Sequence, residues 1–151
     1  MVTKPAVATD VQLQHCDIDQ SLDSVSKTPL VYAIDAHNLT AVQALLQAGA
    51  NPNVDGYDGT TPLFYAVAAK DQGIVQDLIA KGVDVNASTR TSEITVLMAA
   101  ILDSSPAIAA DLVAHGASLA ETDKYGHKPI DCVGKLPAKR RAAMYAALKK
   151  P

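Results

Sequence analysis

An all-α solenoid of stacked helix pairs is the fold this sequence predicts, and three observations predict it. Thr-Pro-Leu followed two places on by Tyr occurs at 28–32 and again at 61–65. The similarity runs through a whole unit, since Pro29 to Pro62, Gly49 to Gly82 and Asn53 to Asn86 are each 33 residues apart. Apolar residues in the second half of each unit recur three and four apart, which is the helical period. A helix pair of this size cannot bury its own apolar stripe, so neighbours must stack in a row.

Composition sets the kind of core. The chain has 151 residues, of which 48% are hydrophobic and only 4% aromatic, with no Trp and one Phe. Ala, Val, Leu and Ile must therefore fill the interior, and small side chains suit closely spaced helices. Mean hydropathy is +0.08, and no apolar run approaches the roughly 18 residues of a membrane span. The opening MVTKPAVATD has no apolar stretch that could act as a signal peptide, so a cytoplasmic protein is expected. A mature chain after signal removal would read the same way, which leaves a periplasmic or secreted location as the alternative. Cys16 and Cys132 have no CxxC partner, so neither a disulfide framework nor a zinc site is indicated.

Each unit follows from its residues. Thr before Pro is a helix start: the hydroxyl caps an orphan N–H, and Pro loses no hydrogen bond at the first helical position. A short Ala-rich helix follows, and then a second helix carrying Val42 with Leu45 and Leu46, Ile74 and Val75 with Leu78 and Ile79, or Ile108 with Leu112 and Val113. Ser105-Pro106 opens the second helix of the third unit. Gly49, Gly82 and Gly116 close these second helices, where a left-handed residue ends a helix. Turn-forming stretches separate the units at 53–60, 87–94 and 121–128. The units are set at about 24–56, 57–90, 91–123 and a shortened 124–151, with Pro137 opening a last helix that runs to Lys150. Residues 1–5 are expected to be disordered and 6–15 to form a capping helix within an N-terminal segment 1–22. Thr to Gly is 21 in three units, but Asn53 to Thr61 is 8 and Asn86 to Thr95 is 9, so the third unit's extra residue is expected in the 87–94 loop.

With TPLVYA and GANPN, TPLFYA and GVDVN, TVLMAA and GASLA, and the eroded KPIDCV, the chain resembles the ankyrin repeat family from about Asp23 to Leu148. The His of the family motif is replaced by Val31, Phe64, Met98 and Asp131. The usual His-to-Thr hydrogen bond is therefore absent, which should cost rigidity rather than fold. The resemblance implies a non-enzymatic, monomeric module that binds another protein through loop tips and the exposed side of the first helices. By register with the family, those positions are Asp23, Lys27, Asp35, Tyr57, Asp58, Thr60, Arg90, Ser92, Leu102, Asp103, Lys124, Tyr125 and His127, with Tyr32 and Tyr65 lining the same side.

Sites for chemistry are not indicated. His15, His37, His115 and His127 include no pair at metal-ligand spacing, and no catalytic signature occurs. His115 precedes Gly116 at a helix C-terminus, where positive charge is favourable. No cofactor is expected. Residues 132–151 hold six basic and no acidic side chains, a charge of +6; the other 131 residues hold 7 basic and 16 acidic, a charge of −9. The basic end reads as a solvated capping helix, and without interleaved aromatics it is a weak nucleic-acid signal. Acids predominate on the first two units, which suggests a partner with a basic patch, although Asp in such loops also simply makes turns. The alternative function is an inhibitor or immunity-type protein that neutralises a basic-grooved enzyme such as a nuclease.

Overall fold

The computed structural model describes residues 18–22, 24 and 26–149, and in these the chain forms eight α-helices and one short 3-10 helix, Tyr57–Gly59. The α-helices are α1 (Pro29–Asp35), α2 (Leu39–Gln47), α3 (Pro62–Ala68), α4 (Gln72–Ala80), α5 (Val96–Leu102), α6 (Pro106–Ala114), α7 (Pro129–Gly134) and α8 (Ala138–Ala147). No strand occurs among the described residues, and the one β-bridge joins Ser88 to Thr95. The capping helix expected at 6–15 lies outside the described residues, as do Asp23 and Lys150. The last helix starts one residue after Pro137 and is closed by Leu148.

The helices form two layers. α1, α3, α5 and α7 pack each against the next, and so do α2, α4, α6 and α8, while each short helix also packs on the helix that follows it. The interior this creates holds Leu30, Ile34, Leu63, Ile74, Leu78, Leu97, Ile101 and Leu112, all fully buried. The Leu of the repeated motif is buried in three units. Its counterpart Ile130, at the end of the row, is 44% exposed.

Helix ends follow the sequence signals with two exceptions, Ser105 and Thr61, which stand at caps without making a side-chain cap bond. Thr28 and Thr95 accept from the N–H groups of Val31 and Met98 at 3.5 and 3.2 Å. The second helices are capped by Asn38 and Asp71, which accept from Ala41 and Ile74 at 3.0 and 3.2 Å. In the fourth unit Lys128 has no capping oxygen, and the Asp131 carboxylate instead accepts from the Lys128 N–H at 2.8 Å. Thr61 occupies the cap of α3 but makes no cap bond, and its hydroxyl is buried without a partner. This orphan hydroxyl is a local penalty. Thr61→Val is therefore expected to stabilise the chain by about 1 kcal/mol, whereas Thr95→Val should destabilise it by about 1 kcal/mol through loss of its cap. Urea midpoints of the two variants moving in the same direction would contradict the assignment.

Neighbouring units are tied by a ladder of side-chain bonds. Asp19 accepts from the Asn51 N–H at 2.8 Å, Asn53 from Asp84 at 3.0 Å and Asn86 from Ser118 at 2.7 Å. Each acceptor reaches the backbone of the next unit's closing turn. Ala120 occupies the following register position and has no oxygen to offer.

The loops between units share one backbone feature. In each, the residue two places before the capping position is left-handed: Ser26, Gly59, Glu93 and Gly126, with φ of 61°, 75°, 53° and 82°. A backbone bond closes each loop, spanning four residues from Gly56 to Thr60 and from Asp123 to His127. It spans five from Leu22 to Lys27 and from Thr89 to Ile94. The extra residue of the third unit is thus held in its loop, and α5 begins directly after Thr95 as α3 does after Thr61.

Candidate interaction surface

The loop tips form one continuous rim. The Asp58 carbonyl accepts from the Arg90 N–H at 2.9 Å, and the Ser92 carbonyl accepts from the Lys124 N–H at 3.2 Å. Asp58 adds to this with its side chain, accepting from the Thr91 N–H at 2.8 Å and from the Thr91 hydroxyl. Arg90 turns back to Asp55, with Nη2 and Oδ2 2.6 Å apart. Thr60 is half-buried and closes its own loop through its carbonyl, and Ser92 is half-buried as well. These two therefore build the rim more than they decorate it.

On the rim stand two tyrosines. Tyr57 is 75% exposed and Tyr125 is 72% exposed, so packing does not account for either. Lys124 Nζ lies 5.2 Å from the Tyr125 ring centroid, and the His127 ring lies 6.1 Å from it at 54°. The Asp123 carboxylate accepts from the N–H groups of Tyr125 and His127, each at 2.9 Å, and from His127 Nδ1 at 3.0 Å. Burial pushes this carboxyl up, but the bonds from His127 and Tyr125 together outweigh it and hold the group below its ordinary value. Its support for the loop is therefore present above the ordinary carboxylate range and is lost as pH falls through the lowered value.

A second group forms on the exposed side of the first helices. Lys27 Nζ lies 5.9 Å from the Tyr32 ring centroid and 5.3 Å from that of Tyr65, while pairing with Asp35 at 2.7 Å. Tyr32 and Tyr65 occupy the same register position in successive units, so one lysine bridges both rings. Further along the same side, Asp35, Ala68, Leu102 and Lys135 occupy equivalent positions and are all exposed. The row passes from acidic through apolar to basic. Leu102 and Asp103 lie at the C-terminal end of α5, a helix length of about 10 Å from the loops, and so stand apart from the rim.

Apart from Leu102 and Asp103, and from Asp23 outside the described residues, the sequence positions fall into three places: Lys27, Tyr32, Asp35 and Tyr65 together; Tyr57, Asp58, Thr60, Arg90 and Ser92 along the rim; and Lys124, Tyr125 and His127 at its end. Asp55 and Asp123 were not anticipated, although each sits within a turn-forming stretch. Asn53 and Asn86 recur at 33 residues, a spacing that marked the repeat period without revealing what they hold.

Elsewhere the chemistry is muted. His115 caps α6 and donates from Nδ1 to the Asp111 carbonyl at 2.7 Å. Cys132 is 3% exposed, and burial pushes its thiol up, away from the nucleophilic thiolate. Among the described residues no three His, Cys, Asp or Glu side chains gather as metal ligands, and no helix is long and apolar enough to cross a membrane.

A family model described as ankyrin repeats (3 copies) matches residues 6–89, more than half of the chain. The helix pairs beyond residue 89 continue the same stack. Comparison with curated proteins gives no match.

Proposed function

Because the chain belongs to the ankyrin repeat family, whose members are generally protein–protein interaction modules, we propose that it is a non-enzymatic module that recognises another protein through its loop rim and the exposed side of its first helices. The observation that carries this reading is the pair of rim tyrosines, Tyr57 and Tyr125, three-quarters exposed on a loop edge fixed by backbone bonds. Tyr supplies a large contact area at low entropy cost, and it is enriched among the residues that anchor interfaces. A preformed rim adds to affinity because little must be ordered on binding.

The finer reading of a partner with a basic patch draws on the −9 charge of residues 1–131. So does the alternative of an inhibitor or immunity-type protein seated in the basic groove of an enzyme such as a nuclease. Two of the acids on which it depends are already engaged, Asp35 with Lys27 and Asp58 with Thr91. Recognition therefore rests on the tyrosines, with net charge left to steer encounter. The test is capture of partners by the intact chain and by Tyr57→Ala/Tyr125→Ala, identified by mass spectrometry. A protein enriched by the wild type and depleted by the double variant is expected; equal enrichment by both would overturn the proposed surface.

A further inference from the structure

The turns between the paired helices lie at the opposite end of the helices from the loop rim. There a cavity of about 400 Å³ is lined by Lys70, Ser104, Pro106, Lys139, Arg140 and Met144. Its cations come from separate units: Lys70 from the α3–α4 turn, and Lys139 with Arg140 from the first turn of α8. None of the three forms an ion pair among the described residues, in contrast to Lys27 and Arg90. The acid beside Lys70, Asp71, is committed to capping α4 and to His37, 3.5 Å away.

Folding alone does not favour this arrangement. The first turn of a helix carries the positive end of its dipole, where acids stabilise and bases destabilise. The first turn of α8 nevertheless holds Lys139 and Arg140 and no acid, and its cap, Pro137, contributes no side-chain bond. Arg141 has a structural task, donating from Nε to the Leu136 carbonyl at 2.8 Å. Lys139 and Arg140 have none. Three unpaired cations around one cavity, two of them against a helix dipole, repel one another until an anion enters.

We propose that this cavity binds an acidic segment of a partner protein, a carboxylate flanked by an apolar side chain, as a second contact surface separate from the loop rim. The cations hold the carboxylate, with the positive end of the α8 dipole adding to their attraction. Pro106 and Ala143, half-buried and exposed respectively, offer apolar wall to the neighbouring side chain. The lining contains no aromatic side chain, and the cations surround a cavity instead of tracking along a groove, which sets it apart from a nucleic-acid surface.

The test is a titration of the full ¹⁵N-labelled chain with Ac-Glu-Glu-Leu-Glu-Glu-amide, followed by amide shifts. Saturable shifts at Lys70, Ser104, Lys139 and Arg140 are expected. Lys139→Gln/Arg140→Gln should weaken binding at least tenfold, and Arg140→Glu should weaken it while raising the melting temperature, a combination that a structural role would not give. Far-UV circular dichroism checks each fold, and Lys70→Gln, in a turn, serves as a further variant if α8 frays. The proposal fails if Ac-Gln-Gln-Leu-Gln-Gln-amide gives the same shifts, or if the shifts spread equally to Lys81 and Lys149. It fails equally if inorganic phosphate at the same concentration reproduces them, or if oligothymidylate binds there more tightly than the acidic peptide.

Discussion

Leu78→Ala is expected to lower the stability of the folded chain by about 2–5 kcal/mol, a large share of the roughly 5–15 kcal/mol that holds a domain together. Leu78 is 0% exposed and lies on α4, which packs against α3 in its own pair and against α2 and α6 on either side. Truncation leaves a cavity that the small side chains around it cannot close. In a stacked array each unit touches only its neighbours, so a defect in the second pair weakens the interfaces toward both ends at once. Urea unfolding followed by circular dichroism should show a lower midpoint. A reduced slope as well would indicate that the pairs on either side of α4 have begun to unfold separately. A midpoint unchanged from wild type would mean that Leu78 does not serve the core its position describes.

Tyr57→Ala and Tyr125→Ala should divide the same two properties the other way. Each is expected to change stability by no more than about 0.5 kcal/mol, as exposed substitutions usually do. Each should weaken partner binding by about 2 kcal/mol, roughly thirtyfold, the loss that marks an interface anchor. Tyr125 stands beside Lys124 and His127, so its removal also frees neighbours that it orients. Calorimetric titration of the captured partner reads the affinity and thermal melting reads the stability. Melting losses comparable to that of Leu78→Ala would show that the tyrosines support the fold and are not contact residues.

The fold was legible because it is written by repetition. Period, Thr-Pro starts and closing glycines each have a backbone reason, and together they placed the helix pairs and assigned the extra residue to the 87–94 loop. What the sequence did not reveal are pairings between side chains brought together by the fold. Asp35 and Asp58 read as free surface acids, yet one meets Lys27 and the other a hydroxyl and an N–H of Thr91 in the next loop. Such partners lie 8 and 33 residues away, one within the first unit and the other across to the next loop, and become visible only once the chain folds. Backbone strain was hidden for a different reason. The left-handed loop position is Gly at 59 and 126 but Ser at 26 and Glu at 93, and nothing in the chemistry of serine or glutamate announces it. Thr61 failed as a signal in the reverse sense, holding the right residue at the cap without making the bond.

The ladder of Asp19, Asn53 and Asn86 has a consequence for how such a protein can change length. Every rung needs only an acceptor in one unit and a backbone N–H in the next, so it carries no record of which unit it belongs to. A segment copied from one rung to the following rung could be inserted between them and would arrive with its own connector, matched at both ends. Growth in the middle is therefore modular. At Ala120 the connector is missing, so a unit added there would dock without this rung, and a single change to Asn would be the step that restores it.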